Sequence, residues 1–374
     1  MTSQTTQRLT LHASHAALGA QFQERYGWEL PLCYAGLADE YQAALAGHGP
    51  GRAAMHDHSY AGRLQATGKD ALDLLNRLST NQVLDLAPGQ GAPTILTTDR
   101  GRILDLVAVV NTGDYVLLLT SPGMPQAVVQ WLDKYTIMED LTVTDVTAST
   151  TMLTVLGPES RAALECLCGV SLAGLAPFHC TPGRMAGHQA HIIHRPLGAL
   201  PSYDLVMMAE AAPPVWNALQ EAGLTPLGLA AYEALRVVQG VPAHGYEMGE
   251  DYNPLEAGLV GAISFTKGCY IGQEVIARLD TYQRVQKRLV MLRFPPGAQA
   301  APGAALMRDG KAVGSVTSLV QVLGAQAPDR GELVGLGYVR VAAAKVGTRL
   351  ELSEPAQGWA EITGLPLLFG PGAG

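Results

Sequence analysis

A single cysteine at position 269 lies in the segment whose residue types could do the most chemistry. This segment runs Lys267-Gly268-Cys269-Tyr270-Ile271-Gly272-Gln273-Glu274 and is followed by Ala277-Arg278. A lysine and the start of a predicted helix flank the thiol, and both a cation and the positive end of a helix favour a thiolate. The thiol could therefore be a nucleophile, a redox centre or a ligand of a metal or cluster. It could also be a small apolar residue packed under a turn, since free cysteines are often buried.

The spacing of apolar residues predicts the elements that must position this segment. Between residues 62 and 146 the predicted order is β-α-β-β-β-α-β, which is typical of a small α+β unit of ferredoxin-like character. The predicted strands cover 62–67, 94–98, 103–110, 115–120 and 141–146, and the predicted helices cover 69–79 and 122–135. A similar order begins again at residue 152, which indicates a duplicated lobe. Its predicted strands are 152–156, 189–194 and 203–208, and its predicted helices start near 158 and cover 214–222 and 227–239.

After Arg293 the sequence changes to short β segments separated by glycines, without a long amphipathic helix. The β segments cover 312–319, 335–339 and 349–352. This pattern predicts a small antiparallel barrel or sandwich at the C-terminal end. Residues 1–23 carry Arg8 and no acidic residue, a composition shared with transit peptides, but we expect a frayed N-terminus.

Composition excludes several classes of protein. The net charge is −8, charged residues make up 16% and apolar residues 48% of the 374 residues, which is typical of a globular protein and argues against a nucleic-acid binder. The apolar runs are too short to cross a membrane. The five cysteines are odd in number and irregularly spaced, which favours a reducing compartment, and we expect the cytoplasm. Cys166 and Cys168 lie in a predicted helix, where we expect core packing.

Histidines and basic residues offer weaker candidates. His188, His191 and His194 alternate faces of a predicted strand and do not converge, so we predict no metal site. A basic cluster follows the cysteine segment and is either a solvated face or a docking surface for an anionic ligand tail. It consists of Arg278, Arg284, Lys287, Arg288 and Arg293.

The segment from Ile263 to Glu274 resembles the signature of the YgfZ-type folate-binding proteins, which are related to the glycine cleavage T-protein (aminomethyltransferase) family. Further segments that resemble landmarks of this family occur in the expected order. They are Pro31-Leu32-Cys33-Tyr34, Asp57-His58-Ser59, Leu78-Ser79-Thr80-Asn81, Gly101-Arg102-Ile103-Leu104-Asp105, Ala234-Leu235-Arg236 and Pro254-Leu255-Glu256-Ala257-Gly258.

The resemblance implies a fold and a division into domains. It implies an α+β protein shaped as a T-protein-like three-lobed ring, with two ferredoxin-like α+β lobes and a C-terminal antiparallel β-barrel. The first, aminomethyltransferase-like domain would cover residues 1–290, with one lobe at about 56–147 and the other formed by 1–55 with 148–290. The barrel would cover 291–374. Folate would bind in the central channel, and we expect a monomer.

The catalytic pattern of the T-protein is incomplete in this chain. The family's G-G-x-I-D-D segment resembles the region of Asp105, where the second acid is replaced by Leu106. The family's G-E-x-G-Y-E segment aligns with residues 198–204, which places Ala199 at a pterin-binding glutamate and keeps Tyr203. The R-x-E-x-G segment becomes Arg236-Val237-Val238-Gln239-Gly240, so another acid is lost. Because a carboxylate accepts hydrogen bonds from the N–H groups of a pterin, these losses would weaken or shift folate binding.

The resemblance also assigns roles to individual residues. Asn81, Asp105, Tyr203 and Arg236 would contact tetrahydrofolate or a substituted folate, and Asp105 would activate a folate nitrogen. Each has a structural alternative: a turn hydrogen bond for Asp105, a helix cap for Asn81 and a carboxylate partner for Arg236. Cys269 would be the essential thiol. Lys267 and Arg278 would hold its thiolate or an anionic tail, and Gln273 and Glu274 would open the following helix.

Three hypotheses for the function follow from the resemblance. In the first, the chain is a folate-binding accessory protein that assembles or repairs iron–sulfur clusters in client enzymes or receives them from cluster carriers. In the second, it is an aminomethyltransferase that moves a one-carbon unit to tetrahydrofolate, as in glycine cleavage, with Asp105 as the activating acid. In the third, it is the folate-binding module of a demethylating oxidase with a flavoprotein partner. Whether the chain is an enzyme is left open by its incomplete pattern.

Overall fold

The structure of the protein is a computed structural model that describes residues 6–45, 53–324, 327–353, 356, 358–366 and 368. Residues 323, 324 and 327–330 are described by their backbone only. The chain divides into two compact units. The first comprises Met1–Arg77, Asn81–Thr94 and Leu106–Tyr232, and the second comprises Leu78–Thr80, Ile95–Asp105 and Glu233–Gly374. These units are discontinuous along the chain, and the predicted domain boundary at residue 290 stays a prediction.

The N-terminal segment is folded from residue 7 onward, so the prediction of a frayed N-terminus is wrong for residues 7–23, and residues 1–5 lie outside the described part of the chain. A small sheet in the order β1-β3-β2 packs through Leu9 and Leu30, which are almost completely buried. Burial of apolar side chains against the rest of the first unit explains why so short a segment is ordered. The elements are β1 (Gln7–Arg8), α1 (His12–Ala17), β2 (Gln21–Arg25), β3 (Trp28–Cys33), α2 (Leu37–Leu45) and β4 (Ala54–Asp57).

The next seven elements confirm the predicted order β-α-β-β-β-α-β. They are β5 (Gly62–Thr67), α3 (Ala71–Leu78), β6 (Gly91–Thr97), β7 (Ile103–Asn111), β8 (Val116–Thr120), α4 (Pro125–Tyr135) and β9 (Thr142–Asp145). The five strands form one sheet in the order β6-β7-β8-β5-β9. Helix α3 buries Ala71, Leu74, Leu75 and Leu78, which is the helical spacing seen in the sequence.

The second α+β layer contains a six-stranded sheet in the order β11-β12-β13-β10-β4-β14. Its elements are β10 (Thr150–Leu156), α5 (Ser160–Cys168), β11 (Cys180–Met185), β12 (His188–His194), β13 (Ser202–Met208), α6 (Ala212–Glu221), β14 (Thr225–Pro226) and α7 (Leu229–Val238), with a 3-10 helix at Ala209–Ala211. Strand β11 was not predicted, because Pro182 and Gly183 disfavour a strand by composition. It forms an edge of the sheet, where such residues are tolerated.

The two cysteines of α5 do not both pack in the core as predicted. Cys166 is exposed, whereas Cys168 is half-buried against the core of this layer. The reason is helix geometry: side chains two residues apart point in directions that differ by about 200°, so the two cysteines cannot both face the core. All five cysteines of the chain are free.

The C-terminal part confirms the predicted antiparallel barrel. Six strands close into a barrel in the order β15-β18-β17-β16-β19-β20. The remaining elements are α8 (Gln273–Thr281), β15 (Lys287–Arg293), β16 (Ala305–Arg308), β17 (Lys311–Gly324), β18 (Ala327–Arg340), β19 (Arg349–Leu352) and β20 (Trp359–Gly364), with 3-10 helices at Val260–Ala262 and Val341–Ala343. Within the described ranges, no helix is long and apolar enough to cross a membrane.

Candidate functional site

The cysteine segment lies in a loop, residues 263–272 and here called the motif loop, which is fixed at both ends. Near its start, the Thr80 hydroxyl donates to the carbonyl oxygen of Ala262 at 2.6 Å, and the Ser264 amide donates to the carbonyl oxygen of Thr80 at 2.9 Å. Near its end, the Thr97 hydroxyl donates to the carbonyl oxygen of Ile271 at 2.6 Å. Hydrogen bonds near both ends therefore hold the motif loop in place, one end against the segment after α3 and the other against the last residue of β6.

Lys267 provides a fixed point in the middle of the motif loop. Its Nζ donates to the carbonyl oxygen of Ser79 at 2.9 Å and lies 5.6 Å from the centre of the Tyr270 ring. The lysine is half-buried, and loss of hydration lowers its pKa to about 8. Burial raises the pKa of the Tyr270 hydroxyl to about 12. Lys267 therefore anchors the loop through a charge-assisted bond to the backbone.

Cys269 is exposed, and so is the preceding Gly268. The alternative in which this cysteine packs under a turn is therefore wrong, because the thiol is accessible to solvent. The loop thus carries its thiol to solvent while its neighbours Lys267 and Tyr270 are at least half-buried. An accessible thiol on a fixed backbone is suited to contact a second molecule.

Gly272 joins the motif loop to α8 in a way that only glycine allows. Its φ of 82° lies in the left-handed region, and a Cβ at this position would approach the carbonyl oxygen of Thr98 to 2.6 Å and Thr97 Oγ1 to 2.8 Å. Helix α8 begins directly afterwards, which confirms that Gln273 and Glu274 open the helix. Close packing on the Thr97–Thr98 turn therefore depends on a missing side chain.

The basic residues after the motif loop are mostly engaged at the surface. Arg278 pairs with Glu274 one helical turn away, at 2.5 Å and with both side chains exposed, and such a pair contributes little stability. Arg284 lies over the ring of Tyr282. Lys287 lies 4.2 Å from the ring centre of Tyr252. The predicted roles of Arg278 in holding a thiolate or an anionic tail stay predictions.

Asp105 is a completely buried carboxylate on β7. The strand begins after a tight turn in which the Gly101 amide donates to the carbonyl oxygen of Thr98 at 2.9 Å. The turn borders an open cavity of about 470 Å³ that is lined by charged residues of both signs. These include Asp99, Arg102 and Glu250. A buried acid on a rigid strand is the kind of group that can accept hydrogen bonds from a bound heterocycle.

Arg236 is buried and bound to carboxylates, which is the structural alternative predicted for it. Its Nε donates to Glu233 at 3.0 Å, one terminal nitrogen donates to Glu247 at 3.1 Å, and the other donates to Ser318 Oγ at 3.0 Å. Glu247 also accepts from the hydroxyl of Thr317. These bonds account for the burial of the guanidinium, and the folate contact assigned to Arg236 stays a prediction.

Tyr203 and Asn81 belong to the first unit. Tyr203 lies in the apolar core of the six-stranded sheet and stacks on His194, with 4.9 Å between ring centres. The Asn81 side chain donates to the carbonyl oxygen of Pro93 at 2.8 Å and accepts from the Gln82 amide at 2.9 Å. Since α3 ends at Leu78, Asn81 holds a turn instead of capping the helix. Their folate contacts stay predictions.

Three positions where the family has carboxylates carry apolar side chains in this chain, and they differ in exposure. Ala199 is exposed in the turn before β13, whereas Leu106 on β7 and Val238 at the end of α7 are half-buried. Asp105 is therefore the one carboxylate that remains of the two in the G-G-x-I-D-D segment.

Two buried polar networks in the first unit are not predicted from the sequence, although Asp57-His58-Ser59 resembles a family landmark. In one, His15 Nε2 lies 2.9 Å from Asp57 Oδ2, and the hydroxyls of Ser59 and Tyr34 bond to this pair at 2.5 and 2.9 Å. The bonds from His15 and Ser59 lower the pKa of Asp57 despite its burial. The sequence signal that could have revealed this network is the polar triplet Asp57-His58-Ser59 within a strand pattern.

The second network surrounds His58. The ring lies 3.3 Å from Arg195, which forms an ion pair with Asp204, and Asp204 accepts from Thr154 at 2.6 Å. Burial, followed by the charge of Arg195, holds the pKa of His58 well below its usual value. Within the described residues, no group of three or more His, Cys, Asp or Glu side chains is arranged to hold a metal ion.

Comparison with known proteins identifies the family. Residues 11–267 match the model of the GCVT N-terminal domain, and residues 287–366 match that of the glycine cleavage T-protein C-terminal barrel domain. The chain therefore belongs to the glycine cleavage T-protein family.

Individual relatives agree with this assignment. The chain is 31% identical to an aminomethyltransferase of Picosynechococcus sp. over 92% of either protein. It is 32% identical to a chloroplastic putative transferase of Arabidopsis thaliana over 81% of this chain and 68% of that protein. The crystal structure of glycine cleavage system aminomethyltransferase T from Bartonella henselae superposes with a TM-score of 0.84 over 97% of this chain and 98% of that one, at 22% identity. The predicted α+β T-protein fold with a C-terminal barrel is thus confirmed.

Proposed function

We propose that this chain is a YgfZ-type protein: it binds tetrahydrofolate or a substituted folate and assists the assembly or repair of iron–sulfur clusters in client enzymes. The observation that carries the proposal is the exposed thiol of Cys269 on a loop that Lys267, Thr80 and Thr97 fix in place. Family membership supports the folate part, and the resemblance of residues 263–274 to the YgfZ signature supports the iron–sulfur part. The proposal places the protein in the cytoplasm as a monomer.

The described residues fit a folate in one respect and depart from the family pattern in another. Asp105 supplies a buried carboxylate that can accept hydrogen bonds from a pterin N–H group. Ala199 and Val238 supply no further carboxylate. When bound, tetrahydrofolate carries a one-carbon unit on its ring nitrogens. With a single acid, the chain is better equipped to hold a folate than to move protons on and off it.

The thiol of Cys269 would be the group that contacts the cluster or the client protein. Thiolates are the ordinary protein ligands of iron–sulfur clusters, which makes an accessible cysteine a suitable contact for a cluster that arrives as cargo. The fixed backbone on both sides of the thiol lowers the entropy lost when a complex forms.

A second candidate function is aminomethyl transfer to tetrahydrofolate. It is favoured by the buried Asp105 and by the names of the relatives, since proteins named aminomethyltransferase match the chain along 90% or more of its length. The comparisons support this candidate more directly than the first. It requires Asp105 and makes no use of an exposed thiol, so the two candidates predict different effects of substitution.

The experiment that separates the candidates uses cells that lack this protein and measures a [4Fe–4S] radical enzyme such as a tRNA methylthiolase. We expect the wild-type chain and Cys166→Ser, an exposed cysteine changed as a control, to restore activity, and Cys269→Ser to fail. If the enzyme's activity does not depend on the protein at all, the iron–sulfur role is wrong.

The matching biochemical assay offers the purified protein an aminomethylated lipoyl carrier and tetrahydrofolate. Release of ammonia by the wild type and its loss in Asp105→Asn would establish the second candidate. No release by the wild type would eliminate it.

A further inference from the structure

The open cavity of about 470 Å³ beside β7 is lined by residues at two tight turns of the second unit. The first turn runs from Thr98 to Gly101 and leads into β7. In the second, the Tyr252 amide donates to the carbonyl oxygen of Gly249 at 3.1 Å. The volume lies within the range of small-molecule sites. None of the residues to which the proposed function assigns a contact lines this cavity.

Hydrogen bonds fix the two turns to each other. The Ile103 amide donates to the carbonyl oxygen of Tyr252 at 3.0 Å, and Arg102 Nη1 donates to the carbonyl oxygen of Asp251 at 3.2 Å. The first turn also packs on α8 through Gly101, where a Cβ would lie 3.2 Å from a side chain of that helix. The backbone that carries the lining residues is therefore held in place before a ligand arrives, which lowers the cost of binding.

The lining carries two charges of each sign and contains no apolar residue. It consists of Thr98, Asp99, Arg100, Arg102 and Glu250. Arg102 lies 3.8 Å from Glu256, in addition to its bond to the main chain. Asp99, Arg100 and Glu250 are exposed, and within the described residues none of their side chains forms an ion pair or a hydrogen bond. Charges of both signs at this cavity are therefore available to a ligand.

This distribution of charge discriminates between classes of ligand. An anion would be repelled by Asp99 and Glu250, and a cation would be repelled by the two arginines, so neither is favoured overall. A neutral apolar molecule would find no apolar surface to bury. A molecule with one positive and one negative group can place each beside an opposite charge, and such complementarity also fixes its orientation.

The unpaired charges belong to different turns, which bears on the spacing of the ligand's groups. Arg100 lies on the first turn and Glu250 on the second. In a free amino acid the ammonium and the carboxylate share one carbon atom, whereas in a peptide the two ends belong to different residues. A peptide with free ends can therefore reach both turns.

We propose that this cavity binds a short polar peptide through its free ammonium and carboxylate groups. The carboxylate meets Arg100 and the ammonium meets Glu250, while Arg102 and Asp99 add a second charge of each sign. The site is separate from the folate and iron–sulfur roles proposed above, and its occupancy does not depend on them.

The test is a titration of the isotope-labelled full chain with glycylserine, followed by NMR at constant ionic strength. We expect binding in the millimolar range, because exposed ion pairs contribute little, and shifts of the amide signals of residues 98–102 and 249–252. Acetylated glycylserine lacks the ammonium and glycylserine amide lacks the carboxylate, so each should bind about fivefold more weakly. Serine should also bind more weakly, and binding of serine tighter than that of glycylserine would overturn the assignment to a peptide.

Two variants assign the ends of the peptide to the two turns. Arg100→Gln should weaken glycylserine about fivefold and leave the amide unchanged, and Glu250→Gln should weaken glycylserine and leave the acetylated form unchanged. Arg308→Gln and Glu351→Gln, at exposed positions of the same unit, are the controls and should alter none of these affinities. Absence of binding, equal binding of all three forms of the peptide, or binding that survives both Arg100→Gln and Glu250→Gln would overturn the proposal.

Discussion

At the scale of single residues, the chemistry of the motif loop depends on how far each side chain is exposed to solvent. Cys269 and Lys267 are two residues apart, yet the thiol is exposed and the lysine is half-buried. The lysine keeps its hydrogen bond to the Ser79 carbonyl while losing part of its hydration. An amine in this position is a better nucleophile at neutral pH than an ordinary lysine, because more of it is uncharged.

We expect Lys267 to titrate near pH 8, well below the pKa of about 10.4 of an ordinary lysine. Competitive acetylation between pH 6 and 10, quantified residue by residue by mass spectrometry, measures this titration. Urea at a denaturing concentration provides the control, since the midpoint should rise toward 10.4 when the chain unfolds. A folded-state midpoint near 10 would contradict the effect of burial.

The same shift has a consequence for stability. The folded-state pKa of Lys267 lies below its unfolded value, so between about pH 8 and 10.4 the unfolded chain binds more protons at this site. Stability contributed by this group therefore rises with pH across that window. Below pH 8 both states are protonated, and the contribution of the group is constant.

At the scale of elements, one glycine determines how the motif loop meets α8. Replacing Gly272 by alanine would force a side chain into a left-handed backbone and against the Thr98 carbonyl. We expect Gly272→Ala to lower the free energy of unfolding by about 1–3 kcal/mol. Gly268→Ala is the matched control, because a Cβ added at this position would have no other atom within 4 Å and the backbone is not in the left-handed region.

Urea denaturation of both variants measures this difference, and alkylation of Cys269 reports on the loop. If Gly272→Ala is as stable as Gly268→Ala and its thiol reacts at the wild-type rate, the packing of Gly272 does not fix the loop.

Elements with regular apolar spacing were predictable from the sequence. Strand β5 was predicted over 62–67 and occurs at Gly62–Thr67, and β19 was predicted over 349–352 and occurs at Arg349–Leu352. Strand β11 and the N-terminal sheet were missed, because their order comes from tertiary contacts that no local pattern records. The long strand β17, Lys311–Gly324, was predicted only over 312–319, since register shifts at bulges interrupt its alternation.

The candidate site was predictable in its motif and less so in its details. The cysteine motif and Asp105 were recognisable from residue type and spacing, whereas the exposure of the Cys269 thiol and the complete burial of Asp105 were not, because burial depends on which segments pack around a residue. The ion pairs of Arg236 were not recognisable either, because Glu247 and Ser318 are distant in the sequence. Side-chain partners of this kind depend on how the fold brings separate segments together.

At the scale of the whole molecule, each unit contains a buried polar network that must be satisfied for the unit to fold. In the second unit, Glu247 accepts hydrogen bonds from Arg236, Thr317 and Ser318, and its backbone carbonyl accepts from Tyr338. Glu247 thus joins α7 to two strands of the barrel, to β17 through its carboxylate and to β18 through its backbone carbonyl. Removing its charge leaves a buried guanidinium with less compensation.

We therefore expect Glu247→Gln to destabilise the protein by about 3 kcal/mol, in the range found when one partner of a buried ion pair is removed. Chemical denaturation followed by circular dichroism measures the loss. Glu250→Gln, three residues away and exposed, should change stability by less than about 0.5 kcal/mol. Equal stability of the two variants would show that the network contributes nothing.

In the first unit, His58 predicts sensitivity to acid. Its folded-state pKa lies well below the usual value of 6.5, so below about pH 6.5 the unfolded chain binds a proton that the folded chain excludes. Stability should fall by up to about 1.4 kcal/mol per pH unit from this group alone. Burial also lowers the pKa values of His191 and His244, which act in the same direction.

Unfolding free energies measured between pH 7.5 and 5 test this expectation, with His58→Gln as the variant. The variant should show a shallower loss of stability toward acid than the wild type. His188→Gln, on the same sheet and outside the buried network, is the control. Parallel curves for wild type and His58→Gln would mean that His58 is not buried in its neutral form.

The hydrogen bonds of the motif loop also bear on how the sequence could drift during evolution. Lys267, Thr80 and Thr97 each reach a main-chain oxygen, which every amino acid supplies. The residues that contribute these carbonyl oxygens are Ser79, Ala262 and Ile271, and each can be replaced without loss of the hydrogen bond. During evolution, substitutions would therefore accumulate at these three acceptor positions, whereas the three donor residues would be retained.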